Sequence, residues 1–351
     1  MKDERKIRAG ISIGDINGIG CEVIMKTFED SRMLDFCTPV IFGSNKLLSQ
    51  QKNDLKINFN FHGINNASQA VENKINVVNV WRDAAKIQYG KETKEAGALA
   101  IKSLKTAVAA LKQNHIDLLI TAPINKSNIQ SSEFKFPGHT DYLAKELGGK
   151  SLMFMVSPGL KVGLLTDHVA VKDVPGNINK ELIRKKVAII EKSLKADFGI
   201  RKPKIAMLGI NPHSGDSGVI GKEDDDILRP AIAELADEGH LVFGPYAADS
   251  FFGSETYQQF DAILAAYHDQ GLIPFKTLSF GRGVNYTAGL THVRTSPDHG
   301  TAYDIAGKGI ADHNSFKEAV YTGLEIFKNR KLYSSLTANS LKPQKVKKQA
   351  S

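Results

Sequence analysis

Three histidines in this 351-residue chain stand directly after apolar runs. They are His168 in Thr166-Asp-His-Val169, His213 in Asn211-Pro-His-Ser-Gly215 and His268 in Tyr267-His-Asp-Gln-Gly271. Each run reads as a strand, and α/β proteins gather ligands at the carboxyl ends of strands. Three imidazoles delivered by separate loops suit a divalent metal that keeps an open coordination position, as catalytic zinc does. Cobalt, nickel and iron take the same donor. Taken singly, each is better explained as a hydrogen-bonded histidine than as a metal ligand, and their wide separation supplies no spacing to join them. Two further stretches fit neither helix nor strand: Phe136-Pro-Gly-His-Thr140 and the glycine-rich run from Phe280 to Ile310. Lone cations such as Lys276 and Arg294 are ordinarily solvated. Set among glycines in one block, they suit a carboxylate or a phosphate, for which arginine offers a fork of donors and lysine a compact charge.

What joins these residues is a resemblance. The strings LLTDHVAVKDVP, LGINPHSGDSG, AAYHDQGLIPFK and FGRGVNYTAGLTHVRTSPDHGTAYDIAGKG are similar to the defining segments of the 4-hydroxythreonine-4-phosphate dehydrogenase family, and the likeness runs from about Arg8 to about Lys328. It implies that His168, His213 and His268 bind one divalent metal, zinc first, with magnesium or cobalt as alternatives. It also implies a homodimer with the active site at its interface, His268 completing the metal set from the partner subunit. His139, Thr140, Lys276, Asn285 and Arg294 match the family's substrate contacts. The segment His299-Gly-Thr-Ala-Tyr-Asp-Ile-Ala-Gly-Lys-Gly309 is similar to the adenosine-binding loop of isocitrate and isopropylmalate dehydrogenases, which marks Gly300, Asp304 and Gly307 for NAD or NADP.

The implied reaction is oxidation of 4-phosphohydroxy-L-threonine to 2-amino-3-oxo-4-phosphooxybutanoate, which loses carbon dioxide to give 3-amino-2-oxopropyl phosphate for vitamin B6. A metal would act as Lewis acid on the alcohol, the nicotinamide would take the hydride, and Asp249 or Asp269 would accept the proton or orient a ligating histidine. Two alternatives keep the residues and change the task. One is a dehydrogenase of four-carbon sugar-acid phosphates; the other is a metal-dependent hydrolase or lyase, against which the loop around Asp304 argues. One segment departs from the family's GDPAGIGPE: here it is Gly14-Asp15-Ile16-Asn17-Gly18-Ile19-Gly20-Cys21-Glu22. Asn17 and Cys21 predict a reshaped turn with function intact. Gly14, Gly18 and Gly20 lack the G-x-G-x-x-G spacing, so a tight strand-to-helix turn and a cofactor role both stay open.

The elements that must position these residues alternate. Apolar runs at Ile7–Ile13, Pro39–Phe42, Ile75–Val80, Leu118–Thr121, Leu152–Val156, Val162–Thr166, Ile205–Leu208 and Ala262–Ala265 read as strands. Helical periodicity marks Glu22–Phe28, Lys94–Asn114, Lys180–Phe198, Asp224–Glu238 and Ser315–Phe327, with Ala100, Leu104, Ala107, Val108 and Leu111 forming one buried stripe. Alternation with continuous apolar strands predicts mainly parallel sheet covered on both faces. The expected architecture is two α/β/α domains like those of isocitrate and isopropylmalate dehydrogenases. Residues 1–135 with 275–330 form the cofactor side, 136–274 the metal and dimer side, and the cleft between them the active site.

Bulk composition bounds the partners. The net charge is +8, but Lys342, Lys345, Lys347 and Lys348 lie in a Pro- and Gln-containing stretch that predicts a disordered basic tail over 331–351. No basic stripe interleaved with aromatics marks a nucleic-acid surface. Cys21 and Cys37 form neither a CxxC pair nor a disulfide framework. With no signal-peptide pattern and no run of membrane-spanning length, the expected home is a reducing cytoplasm.

Overall fold

The computed structural model describes residues 5–132, 134–136 and 138–339. Its strands are β1 (Arg8–Ser12), β2 (Thr38–Gly43), β3 (His62–Ile64), β4 (Asn76–Asn79), β5 (Leu118–Thr121), β6 (Gly149–Ser157), β7 (Leu160–Leu164), β8 (Ile205–Leu208), β9 (Val242–Tyr246), β10 (Ala262–Ala265), β11 (Val284–Leu290) and β12 (Arg294–Pro297). They join in one twelve-stranded sheet ordered β3-β4-β2-β1-β5-β12-β11-β6-β7-β10-β8-β9. Pairing is parallel except for β12–β11, β11–β6 and β6–β7. The mainly parallel α/β architecture is therefore as expected. Its two halves are wings of a single hydrogen-bonded sheet, with the antiparallel strands at the join.

Burial explains why the strands read as continuous apolar runs. Every residue of β2, β5, β8 and β10 is buried, because helices cover both faces. One face carries the helices Lys94–Lys112, His139–Leu147 and His268–Ser279, packed on Leu119, Met155, Val162 and Leu164. The other carries Gly20–Glu29, Lys180–Ala196 and Asn314–Thr337, packed on Ile11, Ile120, Phe154 and Tyr286.

Several boundaries moved, each for a local reason. The expected helix Asp224–Glu238 splits into a π turn, Asp224–Leu228, and an α-helix, Arg229–Asp237; Pro230 has no N–H to carry the ladder through. The last helix runs ten residues beyond Phe327, to Thr337. Its final turns are exposed and rest on helix-forming residues rather than on the core, so the opening of the expected tail is helical; the lysines Lys342, Lys345, Lys347 and Lys348 lie outside the described residues. The largest correction concerns the run from Phe280 to Ile310. It holds β11 and β12, at the centre of the sheet. β11 alternates apolar Val284, Tyr286, Ala288 and Leu290 with residues that face a cavity, a signal hidden among the glycines, and β12 is largely polar. Likewise, the supposed loop at His268 is the first turn of a helix, β3 is short and largely exposed, and β9 is an edge strand broken by Gly244-Pro245.

Candidate active site

Strand alternation assembles the site. Side chains two residues apart share a face, and the register pairs Asn285 with both Ser296 of β12 and Met155 of β6. Asn285 and Thr287 of β11, Arg294 and Ser296 of β12, Thr121 of β5, and Met153 and Met155 of β6 thus stand on one face of the sheet. Two helices roof them. His268, Leu272 and Lys276 recur every four residues and so descend one side of their helix, and all three line the cavity. His139 and Thr140 open the helix His139–Leu147. The cavity measures about 560 Å³ and opens to solvent, and Lys126, Asp298 and His299 also border it.

Arg294 dominates the electrostatics. Its side chain is buried, 2% exposed, and its hydrogen bonds go to hydroxyls alone. Nε and one terminal nitrogen donate to Thr121 Oγ1 at 3.1 and 2.5 Å, and the other terminal nitrogen donates to Thr287 Oγ1 at 3.1 Å. With no carboxylate beside it, burial lowers its pKa to about 9, and it stays charged at neutral pH. A buried cation without a counter-ion is a costly arrangement, and it becomes favourable once an anion enters. Lys276 Nζ donates to the carbonyl oxygen of Asp298 at 3.2 Å. His139 titrates well below its ordinary value, first because it is enclosed and then because Arg294 and Lys126 repel its charged form. Its imidazole is therefore neutral. Asn285 Oδ1 and His299 Nε2 are buried without a hydrogen-bond partner. Native proteins rarely leave such atoms unmatched, so these are groups for a ligand to satisfy.

His168 and His268 border the same cavity, with ring centroids 6.0 Å apart. Two imidazoles sharing one ion at ~2.0–2.1 Å would have centroids roughly 5–6 Å apart, so this pair fits a metal. His268 Nδ1 lies 2.7 Å from Asp269 Oδ1. That contact places the ring proton on Nδ1 and leaves the Nε2 lone pair for a ligand bond. His213 sits elsewhere, exposed on the loop after β8 in the left-handed conformation (φ +54°). Buried Asp224 holds that loop by accepting from the backbone N–H of Ile210 and Asn211 at 2.8 and 3.0 Å. Among the described residues of one chain, no three potential ligands form a metal cluster.

Asp249 is exposed in the first turn of the helix Ala248–Gly253, outside the cavity lining. Of the supposed cofactor loop, Gly300 lines the cavity with open space where a Cβ would lie. Asp304 is exposed beyond it. Gly307 (φ +77°) lies against Tyr89, where a Cβ would come within 2.6 Å of the ring. The first glycine turn serves as the bracket for this loop. Ile19 N–H donates to Thr301 O at 3.0 Å, and a Cβ on Gly18 would sit 2.7 Å from the same oxygen. Fully buried Asp15 accepts from Asn128 Nδ2 at 2.7 Å and from the Tyr303 hydroxyl at 2.8 Å. The unusual Asn17 stiffens the turn through its own bonds. Its Oδ1 accepts from Gln88 N–H at 2.7 Å and its Nδ2 donates to Lys91 O at 2.9 Å.

Sequence reasoning missed Thr121, Lys126, Thr287 and Asp298. Thr121 ends an apolar strand, a position that could have been suspected; the others carried no local signal.

Known proteins place this geometry. The family model described as "Pyridoxal phosphate biosynthetic protein PdxA" matches residues 35–323. The chain is 49% identical over 344 residues to a 4-hydroxythreonine-4-phosphate dehydrogenase of Bacteroides thetaiotaomicron, covering 97% of this chain and 94% of that protein. It is 34% identical over 322 residues to a protein of Oceanobacillus iheyensis named, provisionally, a D-threonate 4-phosphate dehydrogenase, covering 90% of this chain and 97% of that one. Among solved structures, the 4-hydroxythreonine-4-phosphate dehydrogenase of Klebsiella pneumoniae superposes with a TM-score of 0.80 at 30% identity, covering 93% of this chain and 99% of that one.

Proposed function

The chain belongs to the PdxA family of pyridoxal phosphate biosynthetic proteins, and from that premise we propose that it is a 4-hydroxythreonine-4-phosphate dehydrogenase. In this reading it oxidises 4-phosphohydroxy-L-threonine to 2-amino-3-oxo-4-phosphooxybutanoate with NAD or NADP as acceptor, and the product decarboxylates to 3-amino-2-oxopropyl phosphate. The observation that carries the reading is Arg294: a buried, uncompensated guanidinium facing a cavity that also holds Lys126, Lys276 and four imidazoles. Such a cavity suits a small dianionic alcohol better than a neutral one.

Each residue then has a task. Arg294, Lys276 and Lys126 hold the phosphate and carboxylate, and Thr121 and Thr287 keep the guanidinium fork aimed. Asn285 Oδ1 accepts from the amino group or the hydroxyl of the substrate, and neutral His139 with Thr140 closes the cavity at its helix mouth. His168 and His268 of one chain would hold a divalent metal, zinc by its donor set, so the ligand supplied by a second copy of the chain would be His213 rather than the expected His268. When bound, that metal supplies Lewis acidity that lowers the pKa of the substrate alcohol. Asp269 orients the His268 ring through the 2.7 Å contact, a role worth about 10–100-fold in metal affinity or activity. The loop carrying Gly300, Asp304 and Gly307 would take the cofactor, bracketed by the Gly14–Gly20 turn. The working unit in this reading is a cytoplasmic homodimer. Among the described residues no helix is long and apolar enough to cross a membrane.

A second reading changes only the substrate. The likeness to the provisionally named D-threonate 4-phosphate dehydrogenase makes a four-carbon hydroxy-acid phosphate the competitor, differing at the second carbon by a hydroxyl in place of the amine. Comparing kcat/KM for 4-phosphohydroxy-L-threonine and D-threonate 4-phosphate on one preparation separates them. The first reading expects the amino acid to be favoured; a ratio in favour of the hydroxy acid replaces it with the second.

A further inference from the structure

A second cavity lies behind the first, on the opposite face of the same strands. It measures about 690 Å³ and is walled by the helix Lys180–Ala196, the β11 turn at Gly289–Thr291 and the last helix. Its separation from the substrate cavity follows from strand alternation. Asn285 and Thr287 point to one face, and Tyr286 between them points to the other. There its hydroxyl donates to Asp197 Oδ2 at 2.5 Å and accepts from Arg330 at 2.7 Å. Arg330 Nε donates to Asp197 Oδ1 at 2.6 Å, and Ser193 completes the carboxylate's bonds at 2.6 Å. This network is a rigid, saturated floor.

The walls are of two kinds. Ala188, Ile189, Ala196 and Leu290 give an apolar surface, and Lys150, Lys185 and Lys192 stand around it. Other cations of the same helix are paired. On the same helix, Lys180 pairs with Glu234 at 2.6 Å, Arg184 with Glu238 at 2.8 Å and Lys195 with Glu191 at 2.5 Å. The side chains of Lys150, Lys185 and Lys192 make no ion pair or hydrogen bond within the described residues. Glu181 is the one carboxylate at the rim.

We propose that this cavity binds a small aromatic monophosphate, its ring on the apolar wall formed by Ala188, Ile189 and Leu290 and its phosphate between Lys185, Lys192 and Lys150. The cationic rim and apolar wall define an anion with a flat apolar body. Choosing a phosphorylated aromatic rests on the pathway reading above, whose end product has that form.

Pyridoxamine 5′-phosphate is a suitable probe, because it is fluorescent and has no aldehyde to condense with lysine. Titrated into the full chain, it should bind saturably. The double variant Lys185→Glu/Lys192→Glu should weaken it by about tenfold or more, since charge-assisted contacts dominate such binding. Lys276→Ala, which alters the substrate cavity, should leave it unchanged. Both lysines are exposed, so the double variant should keep the wild-type melting temperature. Loss of binding in Lys276→Ala with retention in the double variant would place the ligand in the substrate cavity and overturn the proposal, as would absence of binding to the wild type. Dehydrogenase turnover on the same preparation reports on the enzymatic reading independently.

Discussion

Replacing Arg294 by methionine should make the ligand-free protein no less stable while crippling its affinity for substrate. The side chain is 2% exposed and bonded only to two threonine hydroxyls. Burial lowers its pKa from 12.5 to about 9, which at ~1.4 kcal/mol per pH unit is a cost on the order of 5 kcal/mol for holding the charge there. Methionine has similar length and removes that cost. It also leaves Thr121 and Thr287 without their donor, a loss of roughly 2–5 kcal/mol for the two hydroxyls together. The balance is a change of about zero to +3 kcal/mol, seen as a melting temperature unchanged or raised by a few degrees. The folded-state pKa lies below the unfolded one, so the penalty is fully present below pH 9 and is relieved only as pH rises above it; the gain should thus be constant through the neutral range. Losing the charged fork should cost binding ~2–5 kcal/mol, raising KM by about 10²-fold or more. Scanning fluorimetry without ligand and steady-state kinetics read the two effects separately. A clearly lowered melting temperature with an unchanged KM would show that the guanidinium is a strut, and the reasoning would fail.

Other residues give further outcomes. His139 is held below its ordinary pKa of 6.5, so below that pH the unfolded chain takes a proton the folded one refuses. Stability should fall as pH drops through the range under 6.5 and be flat above it; His139→Gln should flatten that limb in pH-dependent denaturation, and an equally steep limb would assign it to other groups. Mixing inactive His213→Ala and His268→Ala homodimers under subunit exchange should restore about a quarter of wild-type turnover, because a shared site leaves one intact constellation in each mixed dimer. No recovery would mean that His213 and His268 come from the same chain. Asp269→Asn should lower metal affinity about 10–100-fold, measured by competition with a chelating dye; full metal content with lost turnover would instead make Asp269 the base.

The architecture was legible where burial is two-sided. β5, β8 and β10 match their apolar runs residue for residue, and the stripe of Ala100, Leu104, Ala107, Val108 and Leu111 is buried as its period required. The site was less legible. In β11 the buried Val284, Tyr286, Ala288 and Leu290 alternate with Asn285, Thr287 and Gly289, a period-2 pattern hidden inside a run read as a glycine-rich loop; β12, Arg-Thr-Ser-Pro, has no apolar face to show. The resemblance named His139, Thr140, Lys276, Asn285 and Arg294, all of which border one cavity. It could not show that Thr121 and Thr287 aim the arginine. Nor could it show that Asp15, in a turn suspected of cofactor binding, ties Tyr303 and Asn128 together. Such links join residues more than a hundred positions apart and have no local pattern.

The most direct measurement is the growth of reduced-nicotinamide absorbance when purified protein meets NAD and 4-phosphohydroxy-L-threonine, before and after chelation and again after a divalent metal is returned. Turnover that chelation abolishes and metal restores is the predicted result. Silence from metal-loaded dimer, with this substrate and with the four-carbon hydroxy-acid phosphate alike, would contradict it.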